Sequence, residues 1–223
     1  MKLTAYGPTG ARDHQGAEKL ERPNSTTIDI HAHIWIDEAE KIAAPHMTDV
    51  FLPPARYVTE ASVAANQNHS QDRSPQMRDI ELRLKEMYAM SIDIQVLIPL
   101  PKQSYCWRHE GPSREAIRMI NDRIADAVKT APDRFVGFGT IPMQDPDLAI
   151  SEMEYCVNTL GFKGIQILTN INGKEVADPD YETVWAKAQE LDTLIFLHPD
   201  GFTHGERLCD HYFINIIGLS LIH

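Results

Sequence analysis

Apolar residues fall into two patterns that alternate along this chain. Short β-branched runs read as strands: "STTIDIHAHI" (25–34), "IDIQVLIPL" (92–100), "RFVGFGTIP" (134–142), "FKGIQILT" (162–169) and "TLIFLHP" (193–199). Between successive strands lie stretches of helical period. "SPQMRDIELRLKEMYAM" carries Met77, Ile80, Leu84 and Met87 on one face, with Ser74 as the expected N-cap and Pro75 as the first helical residue. "SREAIRMINDRIADAVKT" carries Ile117, Ile120, Ile124 and Val128, with Ser113 as the expected cap. "DPDLAISEMEYCVNTLG" opens on Asp145 and Pro146, and Gly161 supplies its stop. "DPDYETVWAKAQELD" repeats the Asp-Pro opening and turns Tyr181, Val184, Ala188 and Leu191 inward. Residues 36–76, broken by Pro45, Pro53, Pro54 and Pro75, read as irregular, with room for short helices that the pattern does not place. Residues 1–24 form a polar lead-in, and 25–223 one domain.

Strands alternating with helices predict a parallel sheet joined by crossover helices. Two closures fit: an open doubly wound sheet or an eight-stranded barrel. No GxGxxG or P-loop is present, because "GFGT" is neither, and this favours the barrel. The expected fold class is therefore α/β, an incomplete TIM (β/α)₈-type barrel with five of eight parallel strands.

Charge and composition narrow the function. A net charge of −11 disfavours nucleic acid, whose phosphates need clustered Lys and Arg. No stretch approaches the length of an apolar membrane span, and the polar start lacks the apolar run of a secretory signal. Cys106, Cys156 and Cys209 are odd in number and widely spaced. They read as free thiols in a reducing, cytoplasmic compartment.

The candidate chemistry lies in "IDIHAHIW" (28–35). Residues i and i+2 of a strand share a face, so His31 and His33 can converge on one ion. His198 ends the fifth strand, and sites in parallel α/β folds form at C-terminal strand ends. Ten histidines in 223 residues give an HxH pair about 0.4 times by chance, so the pair alone leaves the metal and the chance readings both open. Asp29, two residues before His31, is expected on the same strand face, in support of the site.

"IDIHAHIW" resembles the opening metal motif of the amidohydrolase superfamily. "DRFVGFGTIPMQDPDLAISEMEYCVNTLGFKGIQILTNING" resembles its amidohydrolase-related branch, which includes aminocarboxymuconate semialdehyde and γ-resorcylate decarboxylases. "LIFLHPDGF" and "YFINIIG" continue the likeness. The resemblance implies a metal-bearing barrel with His31, His33 and His198 as ligands to Zn²⁺, or alternatively Mn²⁺. It implies metal-dependent decarboxylation of a small aromatic or unsaturated carboxylic acid, with metal-dependent hydrolysis of a lactone, amide or ester as the alternative. Tyr105 and Trp107, in "SYCW" after the second strand, resemble substrate-lining positions. The family also uses a histidine from strand six and an aspartate from strand eight. The family pattern breaks off after "NIIG", which reads as a truncated and catalytically incomplete member whose open strand edges would favour a homo-oligomer.

Overall fold

The computed structural model describes residues 26–46, 60–106 and 110–199. Five strands form one parallel sheet: β1 (Ile28–Ile34), β2 (Ile94–Pro99), β3 (Phe135–Thr140), β4 (Gly164–Leu168) and β5 (Leu194–His198). They lie side by side in chain order. A doubly wound sheet reverses its order part-way; this one does not, which is the winding of a barrel.

The sheet is strongly curled. Laid flat, five strands would hold β1 and β5 about 19 Å apart at about 4.8 Å per strand. Yet the imidazoles of His33 on β1 and His198 on β5 approach to 3.2 Å. The sheet is thus an open half-barrel, in agreement with five strands of a (β/α)₈-type fold.

Curling separates two apolar layers. The larger lies on the convex side, where Leu97, Phe135, Ile165 and Ile167 of the strands meet Ile117, Ile120 and Ile124 of α4 (Glu110–Thr130) and Met153 of α5 (Pro146–Glu154). The smaller lines the concave side: Val96, Ile98 and Phe138, flanked by Val136 and Phe196. The edge strands expose Ile28 and Ile30 on one side and Leu194 and Leu197 on the other. Self-association through open edges would draw on these side chains. Among the described residues no helix is long and apolar enough to cross a membrane.

Several local expectations hold. Asp145 caps α5 by accepting from the amides of Asp147 and Leu148, and Gly161 takes φ +73° just after the π-helical turn Tyr155–Thr159 that extends α5. Tyr181, Val184 and Ala188, spanning a 3₁₀ turn and α6 (Glu182–Glu190), are buried. Cys106 and Cys156 are buried and take part in no disulfide, while Cys209 lies outside the described residues.

Others are corrected. The irregular stretch contains α1 (Asp37–Ala43) and most of α2 (Glu60–Arg78). Pro75 sits inside α2 and does not open a helix. The break comes at Asp79, whose carboxylate accepts from the Leu82 amide and caps α3 (Ile80–Ala89). Ser113 lies inside α4, fully buried, and its hydroxyl donates to the Tyr105 carbonyl. A short hairpin, Asn170–Ile171 against Lys174–Glu175, follows β4. Its turn residues Asn172 and Gly173 take φ of 54° and 89°, the left-handed region that an Asn-Gly pair tolerates.

Candidate metal centre

β1 brings two of the three candidate side chains to the concave face, by an irregular route. Asp29 is opposite Gln95, but Ala32 is opposite Leu97, so β1 advances three residues while β2 advances two. This slip is a bulge between Asp29 and Ala32. It corrects the expectation that Asp29 shares a face with His31. Asp29 instead accepts a hydrogen bond from Gln95 Nε2 at 2.8 Å, and Gln95 is held by Arg83 of α3 on the helix-covered side. Downstream of the slip, His33 is opposite Ile98 of the concave layer.

His198 arrives from the far edge. It is the last residue of β5, opposite Leu168, two residues after Phe196 and so on the same face. Phe196 packs edge-on against His31, with ring centroids 5.3 Å apart.

The three imidazoles converge. His31 Nε2 lies 3.0 Å from His33 Nε2, which lies 3.2 Å from His198 Nε2. One nitrogen from each ring falls within 4.8 Å of the others, and among the described residues this is the group of three or more metal-type side chains so gathered.

Hydrogen bonds on the far side of two rings settle their tautomers. His33 Nδ1 is 3.0 Å from the Pro99 carbonyl oxygen, and His198 Nδ1 is 3.0 Å from that of Pro199. A carbonyl oxygen only accepts, so each Nδ1 carries the hydrogen and each Nε2 presents a bare lone pair. Two lone pairs 3.2 Å apart cannot hydrogen-bond to each other; a cation between them removes the repulsion. This is the outer-shell arrangement of metal-bound histidine. For the His31–His33 and His33–His198 pairs the spacing fits as well. Two nitrogens each about 2.0–2.1 Å from one ion lie about 2.9–3.4 Å apart for angles from square to tetrahedral.

Burial keeps the rings of His33 and His198 neutral. Desolvation first, then the neighbouring His198 and His31, pull His33 down to about 3. Desolvation pulls His198 to about 4. Metal binding needs this unprotonated form. The same shifts set a stability trend for the metal-free protein. Below their ordinary value of 6.5 the unfolded chain takes up protons that folded His33 and His198 refuse. The unfolded state then binds more protons, and stability falls as pH drops from about 6.5 towards 4. Urea unfolding should give a lower midpoint at pH 5 than at pH 7; equal midpoints would contradict it.

The floor beneath the imidazoles is apolar, built of Val96, Ile98 and Phe138. One polar residue interrupts it. Gln166 of β4 is buried and donates through Nε2 to the Pro99 carbonyl, the same oxygen that holds His33; its Oε1 has no partner. Sequence reading passed over Gln166. The available signal was a lone amide inside the apolar run "GIQIL", a pattern shared with Gln95 in "IQVLIP".

Of the two aromatic residues expected to line the substrate side, Tyr105 is fully buried in the convex core. Its hydroxyl donates to Glu40 Oε2 at 3.2 Å, which ties the ring to α1. Trp107 lies outside the described residues.

Comparison with known proteins bears on this geometry. The model of the family described as amidohydrolase matches residues 28–216. The 2-amino-3-carboxymuconate-6-semialdehyde decarboxylase of Dictyostelium discoideum is 31% identical over 141 residues, covering 63% of this chain and 39% of that protein. The γ-resorcylate decarboxylase of Rhizobium radiobacter is 33% identical over 129 residues, covering 53% and 38%. The chain thus spans about two fifths of the length of these relatives. Among solved structures, a dihydroxybenzoic acid decarboxylase from Polaromonas sp. JS666, with bound manganese and the inhibitor 2-nitroresorcinol, superposes with a TM-score of 0.63 at 25% identity. That superposition covers 85% of this chain and 55% of that one. The 5-carboxyvanillate decarboxylase of Sphingomonas paucimobilis, at 19% identity, shares the fold with a TM-score of 0.70, over 84% and 56%. A family match that begins at the first residue of β1 and runs past His198 takes in the whole curled sheet and all three imidazoles: this chain belongs to the amidohydrolase family.

Proposed function

We propose that this chain carries the cation-binding half of a metal-dependent decarboxylase acting on a small aromatic carboxylic acid. The observation that carries the reading is the trio of imidazoles with two Nε2 lone pairs aimed at one point. His31, His33 and His198 would hold the ion. Manganese is favoured by the Polaromonas relative, and zinc by an all-nitrogen donor set. When bound, such a cation orients a carboxylate and stabilises negative charge.

The chain's own residues do the rest of what can be assigned. The Pro99 and Pro199 carbonyls fix ring orientation, so the donors need little rearrangement to bind. Phe196 braces His31, the most exposed of the three rings. Val96, Ile98 and Phe138 offer an apolar bed to an aromatic ring and keep water from beneath it. In the reaction the bond between the carboxyl and ring carbons breaks. Its electron pair stays on the ring carbon, which takes a proton, and carbon dioxide leaves. Support for this reaction over hydrolysis comes from the similarity to decarboxylases of 2-amino-3-carboxymuconate-6-semialdehyde and γ-resorcylate.

Manganese-loaded protein incubated with 2,6-dihydroxybenzoate, and separately with an aryl ester and a lactone, decides between the two. For this half of the enzyme the reading predicts saturable binding of the first at the manganese, read as a change in the water-proton relaxation that Mn²⁺ causes, and no such change with the others. Hydrolysis of the ester or lactone, or no change with the benzoate, would refute it.

A further inference from the structure

A chain of hydrogen bonds, buried at its Arg83–Gln95 link and exposed at its His31 end, begins at the backbone of one candidate ligand and ends at the backbone of the other. Arg83 Nη2 donates to the His33 carbonyl at 2.6 Å, and Arg83 Nη1 donates to Gln95 Oε1 at 2.9 Å. Gln95 Nε2 donates to Asp29 Oδ2 at 2.8 Å, and Asp29 Oδ1 accepts from the His31 amide at 3.1 Å. Arg83 is 7% exposed and Gln95 5%. The chain spans the stretch where β1 slips against β2. A bulge loses regular ladder bonds, so its shape must be held by something else.

We propose that Arg83, with Gln95 and Asp29, clamps this bulge and thereby positions His31 and His33 to share one cation, an inference that rests on the metal-centre reading above. The chemistry suits the task. A guanidinium reaches two acceptors on different strands from one rigid plane, which an ammonium cannot. Burial pulls Arg83 down to about 10, with Asp29 and Glu86 opposing, so it stays charged at neutral pH. Its Nε has no hydrogen-bond partner among the described residues. A buried arginine with an orphaned N–H is a poor way merely to attach α3, since an apolar side chain would pack there without that penalty. Without the slip, strand alternation would put Asp29 on the face of His31 and His33. With it, the carboxylate braces the strand from the helix side while the imidazoles remain on the concave side.

The test compares Arg83→Met, Arg83→Lys and Asp29→Asn with Arg118→Met. The last removes a guanidinium from an ion pair with Glu152 in the outer helix layer. Amide exchange of residues 28–34 is measured on metal-free protein, and Co²⁺ affinity and its visible absorption spectrum on the loaded protein. Arg83→Met should speed exchange across 28–34 at least about tenfold, weaken Co²⁺ about 10–100-fold and change the spectrum. Arg83→Lys should recover only part of each loss, and Asp29→Asn, the gentlest change, should shift all three in the same direction. Arg118→Met should lower stability but leave all three as in the wild type. Wild-type exchange, affinity and spectrum in both Arg83→Met and Asp29→Asn would overturn the clamp. If the wild-type protein itself takes no Co²⁺, the metal-centre reading fails, and exchange at 28–34 still decides the clamp: faster exchange in the variants upholds it, unchanged exchange removes it.

Discussion

Replacing His33 by alanine should weaken binding of Mn²⁺ or Co²⁺ at least about 100-fold, more than loss of an outer-shell partner typically does. His33 stands in the middle of the trio, with His31 at 3.0 Å and His198 at 3.2 Å from its Nε2. Without it the remaining pair retains no shared neighbour. The metal-free protein should suffer little, because the Pro99 carbonyl keeps Gln166 Nε2 as a donor. The variant also relieves two buried lone pairs of their mutual repulsion. Isothermal titration with Mn²⁺ beside urea unfolding of the metal-free protein separates these effects. Unchanged affinity would contradict the site, and a large loss of metal-free stability would assign His33 to packing.

The largest effect on stability is expected at Asn121, on the helix-covered side of the sheet. Its side chain is fully buried on α4 and acts as a clip on the end of β3. Nδ2 donates to the Thr140 carbonyl at 2.9 Å and to Glu152 Oε1 at 2.8 Å, while Oδ1 accepts from the Thr140 amide at 2.9 Å. Asn121→Ala therefore strands a backbone N–H and C=O together and removes a donor from a buried carboxylate. Each unsatisfied buried group costs about 1–3 kcal/mol, so the sum is about 4 kcal/mol after partial relaxation. For a chain of this size that lowers the melting midpoint by about 10 °C. Thermal unfolding of the two proteins reads it directly. A loss under about 1 kcal/mol would mean that water replaces the amide.

These two residues mark what sequence patterns reveal and what they hide. The strands were legible because β-branched runs leave few alternatives, and the histidines because both the pair and His198 end such runs. Asp145 was legible as a cap because Asp-Pro before an apolar stripe has one economical geometry. The slip in β1 was not, because no glycine or proline announces it; it follows from how Gln95 and Arg83 engage Asp29 across two other elements. Pro75 misled for a related reason. It has the composition of a helix start, but α2 continues to Arg78, and the Pro75 carbonyl accepts from the amide of Asp79, where the next helix is capped. Ser113 likewise looked like a cap and serves instead as a buried tie to the Tyr105 carbonyl. The hairpin at 170–175 carried a readable Asn-Gly signal in "NING", overshadowed by the longer elements around it.

One cation is expected among three ring nitrogens contributed from opposite edges of a curled sheet. Anomalous diffraction from crystals of the full chain grown with Mn²⁺ addresses this most directly. The expected map has a single strong peak within about 2.3 Å of Nε2 of His31, His33 and His198. A map with no peak there, or with the manganese bound elsewhere while the three rings keep their places, would contradict it.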